Sequence, residues 1–429
     1  MRNRSLLSAI PVRWRVLFLL FVVSFVNYLL RNALSVAVPS IRSEFGFTSA
    51  ELGWIIGAFN ISYTLMMIPG GVFGERYGPR LALGSVTVTW GVLTALTGFA
   101  PSLMAATAAG AFVSLVAVRL LVGATNAPIF PITTGLIEGW FPPGRWALPN
   151  SVTSSGLALG QAALGPIVTA LIVAYGWREA FYILAPTGVI AGLWWYWYAR
   201  DKPAQHPAIS REEVAFIDAG RAARPPPQPP NWRAALVNRD VLILAASYFC
   251  LNYVFYTFSQ WLFTYLVESR GLSMLESGWL YVLPFATGAV LTAVGGWVCD
   301  LLCRRLGGLR GCRITAMTGL VLVAVFLVTG VRATDPYIAV ALLSLCFGFT
   351  LFADTCYWAA TTYASGEHTA SASGMLNFGG TMPGLLAPLF GFMIDKAGWV
   401  PTIASGSVFA LVGAGLWLLV RLEGAGAHR

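Results

Sequence analysis

Long apolar segments separated by short polar stretches run through the whole chain. Each apolar segment is about 17 to 29 residues long, and a helix needs about 20 such residues to cross a bilayer. Strands of a membrane barrel would instead alternate over about 10 residues. The pattern predicts an all-α integral membrane protein with about twelve transmembrane helices, at about residues 16–38, 51–73, 81–101, 107–135, 149–174, 178–199, 240–267, 277–302, 313–331, 336–363, 371–395 and 399–421.

A second pattern is a repeat at an offset of 225 residues. The pair Asn27-Tyr28 falls on Asn252-Tyr253, and Gly70-Gly71 falls on Gly295-Gly296. The repeat predicts two pseudo-symmetric bundles of six helices each. Two parallel halves of this kind are typical of alternating-access transporters, which bind substrate near the middle of the membrane at the interface of the repeats.

The repeat also divides the chain. We expect an N-terminal bundle at residues 1–199, a cytoplasmic linker at 200–239 and a C-terminal bundle at 240–429. The linker contains the proline run at 225–230 and one predicted short helix near residues 209–220.

Composition and charge support a membrane protein and orient it. The 429 residues are 57% hydrophobic and only 10% charged, against about 25% charged in soluble domains. Of the 27 Lys and Arg residues, about twenty fall on the side of the termini and about five on the other side, so we expect both termini in the cytoplasm of a multi-pass inner-membrane protein. The net charge of +9 is therefore a topology signal, and we expect no nucleic-acid partner.

Arg31 is the most informative residue, because it lies inside the first apolar segment. An arginine stays charged at ordinary pH, and a charge at membrane depth costs about 3 to 15 kcal/mol unless it meets a partner, water or a ligand. Its counterpart in the repeat is Tyr256, so the arginine is not part of the shared scaffold. Two interpretations remain open: a structural pair, or a receptor for an anionic group.

The sequence offers little for enzyme or metal chemistry. No Ser-His-Asp arrangement, phosphate loop or dinucleotide fingerprint occurs in a usable context. Cys299 and Cys303 lie one helical turn apart, but a metal site needs further ligands, so we expect no metal site and no cofactor other than a coupling proton. The protein is not expected to be an enzyme.

The loop after the second helix resembles the signature loop of the major facilitator superfamily. The resemblance is carried by the stretch from Gly70 to Arg80, with glutamate where aspartate is usual, and by a weaker copy at 295–300. Together with the helix count and the repeat, it implies the twelve-helix major facilitator fold. It also implies a conformational role for Gly71, Glu75, Arg76, Arg80 and Asp300.

A narrower resemblance covers most of the chain. Asn27-Tyr28 with Arg31, the Ala127–Pro131 stretch, Tyr357-Trp358 and the Gly374–Gly380 stretch are similar to the anion:cation symporter family of sugar-acid and other organic-anion transporters. The resemblance implies a secondary transporter that imports a small organic anion, usually a carboxylate, and is commonly coupled to protons. We expect the transporter to be a monomer in the bilayer.

Arg31 occupies the position of the family's carboxylate-binding arginine. Its planar fork suits two hydrogen bonds to one carboxylate. The other candidate substrate-binding residues are polar or aromatic and lie on several predicted helices, although an aromatic residue in a membrane helix is more often a packing residue. They are Tyr28, Tyr63, Gln161, Asn252, Tyr256, Tyr357, Trp358 and Asn377.

Proton coupling is where the sequence departs from its family. The sugar-acid transporters typically carry an acid just before the first-helix arginine and another seven residues after the fourth-helix arginine. Here those positions hold Leu30 and Asn126, the latter seven residues after Arg119. Asp354 alone among the acids lies well inside a predicted span, on one helix face with Trp358. It is the candidate coupling carboxylate, and a structural role for it is equally open.

Other functions compete with proton-coupled import. The missing acids also fit a uniporter, an exchanger or a sodium-coupled carrier. The 16 Trp and 26 Phe residues fit export of a drug or metabolite, although an exporter of lipophilic cations would more naturally place an acid than Arg31 at its centre. A sensor built on a transporter fold is a further alternative.

Overall fold

A computed structural model describes residues 10–104, 107–142, 145–218, 238–365 and 369–421 of the chain. Within these ranges it does not describe the side chains of Ile68, Gly71, Glu75, Pro131, Ala147, Thr369 and Ala370. The described residues contain helices and no strand, as the apolar pattern predicts.

Fifteen α-helices, numbered here in chain order, account for most of the described chain. They are α1 (Val12–Phe45), α2 (Ser49–Phe99), α3 (Ala108–Asn126), α4 (Ile129–Trp140), α5 (Ala147–Tyr175), α6 (Trp177–Tyr198), α7 (Arg211–Asp218), α8 (Arg239–Glu268), α9 (Met274–Leu280), α10 (Val282–Leu306), α11 (Gly308–Arg332), α12 (Pro336–Ser365), α13 (Thr369–Thr381), α14 (Ala387–Ala397) and α15 (Trp399–Leu419).

Nine stretches of the described helices are long and apolar enough to cross a membrane, and each matches one of the predicted spans. The other three predicted spans are also helical: 51–73 is the first part of α2, 178–199 is α6, and 371–395 is α13 and α14 with a short 3₁₀ segment between them. The short linker helix predicted near 209–220 corresponds to α7.

Prolines explain where single predicted spans are broken into two helices. Pro284 cannot donate a backbone hydrogen bond to Leu280, and the helix is interrupted at Tyr281, between α9 and α10. Pro128 lies at the break between α3 and α4, and Pro383 lies in the 3₁₀ segment between α13 and α14. The apolar pattern averages over such local breaks and does not reveal them.

The chain forms two compact units. The first takes in the described residues of Met1–Ala33, Ile61–Leu164 and Leu171–Pro227, and the second takes in those of Leu34–Asn60, Gly165–Ala170 and Gln228–Arg429. The second unit therefore includes the last part of α1, the first part of α2 and a short piece of α5, all from the N-terminal half of the sequence.

In the first unit, two glycines let α5 approach α1 closely. A Cβ atom added at Gly160 would lie 2.3 Å from the carbonyl oxygen of Phe25, and one at Gly156 would lie 2.7 Å from that of Phe21. Small residues are the usual means of close helix packing in membranes, where apolar burial between helices provides little driving force. The close packing brings the middle of α5 against the middle of α1.

The linker helix α7 caps the start of α1. Both carboxylate oxygens of Glu213 accept backbone hydrogen bonds, from Val12 and from Arg13, at 3.0 Å each. The Arg13 guanidinium adds a hydrogen bond to the same carboxylate at 3.3 Å. A carboxylate is favourable here because the first N–H groups of a helix have no partner within the helix.

His206 lies just before α7, outside the membrane helices. Its ring packs against Trp140 and Tyr198, and its Nδ1 accepts a hydrogen bond from the backbone of Ala208. Burial lowers the pKa of His206 below its usual value, and the positive charges of Arg200 and Arg15 lower the pKa further.

In the second unit, α14 holds the start of α2. The two carboxylate oxygens of Asp395 accept the backbone N–H groups of Ser49 and Ala50 at 3.0 and 2.9 Å, an arrangement we call the Asp395 cap. Further along, the Asn60 amide donates to the carbonyl of Gly384 at 3.0 Å. These bonds join segments more than 300 residues apart in sequence.

Candidate functional site

Arg31 lies in the middle of α1 and is half-buried in the first unit. Its guanidinium carbon is 5.4 Å from the centre of the Tyr28 ring and 5.0 Å from that of Tyr63, and it hydrogen bonds to Tyr63. Aromatic faces attract a guanidinium without neutralising it. The two predicted tyrosines therefore orient Arg31 while its positive charge is kept.

Arg119 is a second buried arginine close to the first. It is 7% exposed in α3, and its Nη1 donates to the backbone carbonyl of Arg31 at 3.3 Å. The two guanidinium charges are near enough to repel each other. Neither α3 nor α1 up to Ala33 contains an acidic residue. We call Arg31 and Arg119 the arginine pair.

Amide side chains fix α1 against α3 and α5 around the arginine pair. The Asn126 amide donates to the side-chain oxygen of Asn27 at 3.3 Å, so it ties α3 to α1. The Asn32 amide donates to Gln161 of α5 at 2.5 Å. Gln161 thus reaches the turn that carries Arg31 through Asn32, which sequence analysis did not select.

Asp354 is the centre of a polar group in the second unit. It is half-buried in α12, and the Tyr248 hydroxyl of α8 donates to its Oδ1 at 2.8 Å. Trp358, one turn later, packs edge-on against the Tyr248 ring, with the ring centres 6.1 Å apart. The Tyr248 hydroxyl stabilises the charged carboxylate. Sequence analysis did not select Tyr248.

Two further predicted residues, Asn252 and Tyr357, contact Tyr248. The Asn252 amide donates to the Tyr248 carbonyl at 2.9 Å. The glycine at 380, one turn after Asn377, lies against the Tyr248 ring. Tyr357 is fully buried, and its hydroxyl pairs with Ser247 at 2.7 Å, so it is part of the packed interior.

Tyr256 lies two turns beyond Tyr248 on the same helix. It is half-buried, and its ring lies against Gly384. It therefore shares α8 with Tyr248, two helical turns along, and with Asn252.

The signature loop is built around a glycine turn. Gly78 has φ +78°, a conformation that favours glycine, and it interrupts α2. The backbone N–H of Arg80 donates to Asp201 at 2.8 Å, and its side chain donates to the Tyr196 carbonyl at 2.9 Å. Arg76 and Asp300 are exposed. Gly71 and Glu75 belong to α2, but their side chains lie outside the described residues.

Three cysteines form a separate cluster in the second unit. The sulfur atoms of Cys299, Cys303 and Cys312 lie 3.6 to 3.9 Å from one another. Sequence analysis expected no metal site because the first two had too few further ligands. It missed Cys312, which follows the turn after α10.

Comparison with known proteins identifies the class. The model of the Major Facilitator Superfamily matches residues 20–388, so the chain belongs to this superfamily of membrane transporters and is not an enzyme. Solved structures of a bacterial homologue of the human lysosomal transporter Spinster, in inward-facing unoccupied and occupied conformations, give TM-scores of 0.77 and 0.78 at 17% and 16% identity. Each covers 96% of this chain and 97% of the other, so the twelve-helix fold is confirmed.

Curated relatives narrow the class to the anion:cation symporter family. A protein named as a probable sulfoacetate transporter from Cupriavidus necator is 30% identical over 95% of this chain and 93% of its own. The hexuronate transporter of Bacillus subtilis is 31% identical over 89% and 88%. The D-galactonate transporter of Escherichia coli is 28% identical over 95% of each chain. The predicted family resemblance is confirmed.

Proposed function

We propose that this protein imports a small organic anion with protons by alternating access across a bacterial inner membrane. Arg31 is the anchor for the anion, Arg119 adds a second positive charge, and Asp354 carries the coupled proton. The predicted cytoplasmic location of both termini and the monomeric state belong to the same proposal.

The arginine pair is the observation that carries this proposal. Two guanidinium groups at membrane depth repel each other, and an anion between or beside them relieves the repulsion. Each charge-assisted hydrogen bond from such a donor is worth about 1.5 to 3 kcal/mol. A carboxylate or sulfonate also matches the planar fork of Arg31, whereas a lipophilic cation is repelled.

The names of the relatives support the same class of substrate. Sulfoacetate, hexuronate and galactonate are all small organic anions, and the first carries a sulfonate as well as a carboxylate. We therefore extend the substrate class to sulfonated acids, beside the sugar acids and aromatic acids expected from the sequence.

Ligand-dependent thermal stability of the detergent-purified protein tests the anion site. The panel contains sugar acids, sulfonated acids, aromatic acids, dicarboxylates and their neutral analogues. A ligand at about 100 times its dissociation constant stabilises the protein by about 2.7 kcal/mol. We expect one class of anions to stabilise the wild type and Arg31→Lys to respond less, because lysine has no planar fork. Arg31→Ala is expected not to respond.

Arg178→Ala is the matched control. Arg178 also lies against an aromatic ring, that of Trp177 at 4.5 Å, but at the start of α6 and away from the arginine pair. It should respond like the wild type. If neutral or cationic lipophiles stabilise the protein and Arg31→Ala responds equally, the anion site is wrong and the exporter interpretation replaces it.

Transport in proteoliposomes tests the coupling. Asp354→Asn should retain counterflow exchange of the anion, since that reaction needs no net proton movement, but should lose accumulation driven by an imposed pH gradient. Glu276→Gln, at an exposed acid of the same unit that has no assigned role, should accumulate normally. Unchanged accumulation by Asp354→Asn would exclude this residue as the proton carrier.

Uniport or exchange remains the second candidate function. The observation that favours it is the Asn126–Asn27 pair, which occupies a position where related transporters carry a titratable acid. Loss of the pH gradient leaves a uniporter or exchanger unaffected, and replacement of sodium by potassium identifies a sodium-coupled carrier.

A further inference from the structure

Three thiols meet where α10 turns into α11, and none of them is among the residues assigned to anion transport. The Sγ atoms are separated by 3.9 Å between Cys299 and Cys303, 3.7 Å between Cys299 and Cys312, and 3.6 Å between Cys303 and Cys312. Cys299 and Cys312 are buried, whereas Cys303 is half-buried. The transport mechanism proposed above uses none of these groups.

The three separations match those of thiolates around a zinc ion. Zinc binds thiolate sulfur at about 2.3 Å with tetrahedral geometry, which places neighbouring sulfurs about 3.8 Å apart. A disulfide would need the sulfurs at about 2.05 Å. The three sulfurs therefore lie at nearly equal spacing, like three corners of a tetrahedron. Two buried cysteines that meet by chance do not produce this pattern.

The backbone, rather than the thiols, creates this arrangement. Cys299 and Cys303 lie one turn apart on α10, so their side chains share a face. Gly307 then reverses the chain with φ +95°. At Gly311 a Cβ atom would lie 2.3 Å from the backbone nitrogen of Cys303, so the two helices are in direct contact and the next residue, Cys312, faces the other two. Because the backbone already holds the three thiols in place, binding an ion costs little conformational entropy.

The surroundings supply compensating charge. A zinc ion with three thiolates carries a net negative charge. Four arginines lie within the same turn and its flanking residues, at Arg304, Arg305, Arg310 and Arg313.

We propose that Cys299, Cys303 and Cys312 bind a zinc ion, with water as the fourth ligand, and that the ion fastens α10 to α11 at their turn. Cys303 gives the ion access, since it is half-buried. In the predicted topology this turn is on the cytoplasmic side, where thiols stay reduced. Binding requires the thiols to lose their protons, so zinc affinity should fall in acid.

The test uses the full-length, tag-free protein purified with a reductant and then desalted without oxygen. The protein is incubated with zinc alone, desalted again and assayed for metal content. Cobalt gives an independent spectroscopic readout on the wild type, because tetrahedral thiolate ligation produces sulfur-to-cobalt charge-transfer absorption. We expect one zinc per chain and this cobalt spectrum.

Variants distinguish this cluster from other cysteines. Cys303→Ser and Cys312→Ser should lose the retained zinc and the cobalt spectrum. The matched controls are Cys250→Ser and Cys346→Ser, since both residues are buried cysteines of the same unit outside the cluster, and they should keep both signals. Zinc should also slow alkylation of Cys303 in the wild type, a measurement that does not depend on the folding of any variant.

Three results would overturn the proposal. They are a wild type that retains no zinc, zinc content unchanged in Cys312→Ser, and alkylation of Cys303 unaffected by zinc. Ready formation of a Cys299–Cys312 disulfide without any zinc binding would count against it as well, since it would define a redox pair in place of a metal site. Anion binding and Arg31 variants are not involved, so the outcome is independent of the proposed transport function.

Discussion

The Asp395 cap offers a sharp test of how the second unit is held together. Asp395 of α14 accepts the first two N–H groups of α2, from Ser49 and Ala50. Asp395→Ala removes both acceptors, whereas Asp395→Asn keeps one oxygen and loses the charge.

The structure sets the size of the effect. Two hydrogen bonds to a charged acceptor are worth up to about 3 kcal/mol each, and a carboxylate at a helix N-terminus adds about 0.3 to 1 kcal/mol. Asp395 is exposed, however, so water and salt reduce these values toward those of a surface cap. We expect Asp395→Ala to cost about 1 to 2 kcal/mol, a factor of roughly 5 to 30 in the population with the cap open. Asp395→Asn should fall between alanine and the wild type.

Cysteine labelling measures that population. Ser49→Cys keeps the backbone N–H, and Ser49 is only 2% exposed, so a membrane-impermeant maleimide reacts with it chiefly when the cap opens. The matched control is Asp335→Asn, because Asp335 also accepts two backbone N–H groups, at 2.8 and 3.0 Å, but at the start of its own helix α12. Only the Asp395 variants should raise the labelling rate.

Equal labelling rates in the Asp395 and Asp335 variants would refute this reasoning, since the effect would then be general loss of helix capping. Labelling of Ser49→Cys unchanged by Asp395→Ala would refute it as well. It would show that the remaining contacts of α2, such as that of Asn60 with Gly384, hold the segment without the cap.

Three further predictions follow from the packing and the charges. Gly160→Ala should destabilise the protein by about 1 to 3 kcal/mol, because the added Cβ atom meets the Phe25 carbonyl. Gly135→Ala is the control: nothing lies within 4 Å of an added Cβ atom there, so its melting temperature should be unchanged or higher. Because the pKa of His206 is lowered in the folded state, its neutral form contributes stability above about pH 6.5, and this stability is lost as the pH falls. In thermal melts from neutral to acid pH, the melting temperature should therefore fall less steeply in His206→Phe than in the wild type. Equal slopes would contradict this. Asn126→Asp places a negative charge about 10 Å from Arg119, seven residues along α3. Its attraction for the Arg119 guanidinium, a Coulomb energy of about 1 kcal/mol, competes with the bound anion and should weaken anion binding about fivefold. Calorimetric titration that shows unchanged or tighter binding would exclude this effect.

The sequence predicted the fold because apolar length is a strong signal. Every predicted span is helical in the described residues, and the repeat correctly indicated two related halves of a transporter. The breaks at Pro128, Pro284 and Pro383 were not predicted, since a proline in a long apolar segment either kinks or ends the helix depending on its neighbours.

The candidate site was predicted only in part, and there is a physical reason why some of its residues stand out in the sequence and others do not. Arg31 and Asp354 stand out because a charge in an apolar segment is costly and therefore rare. Their partners do not stand out, because uncharged polar residues are common in membrane helices. The Tyr248–Asp354 bond spans 106 positions and the Asn32–Gln161 bond spans 129, and no local pattern indicates such pairings. Cys312 was missed for a related reason: the turn at Gly307 decides which face it shares.

The exposed position of the Asp395 cap makes it sensitive to the medium. Mobile ions screen exposed charges beyond about 8 to 10 Å at physiological ionic strength, but act much less on buried ones. The cap should therefore loosen as the salt concentration rises, whereas the nearby Arg42–Glu268 ion pair, with side chains 25% and 19% exposed, and the buried Arg119 are screened much less. Salt in the surrounding medium would then weaken the attachment of α2 to α14 while leaving the electric field around Arg119 nearly unchanged.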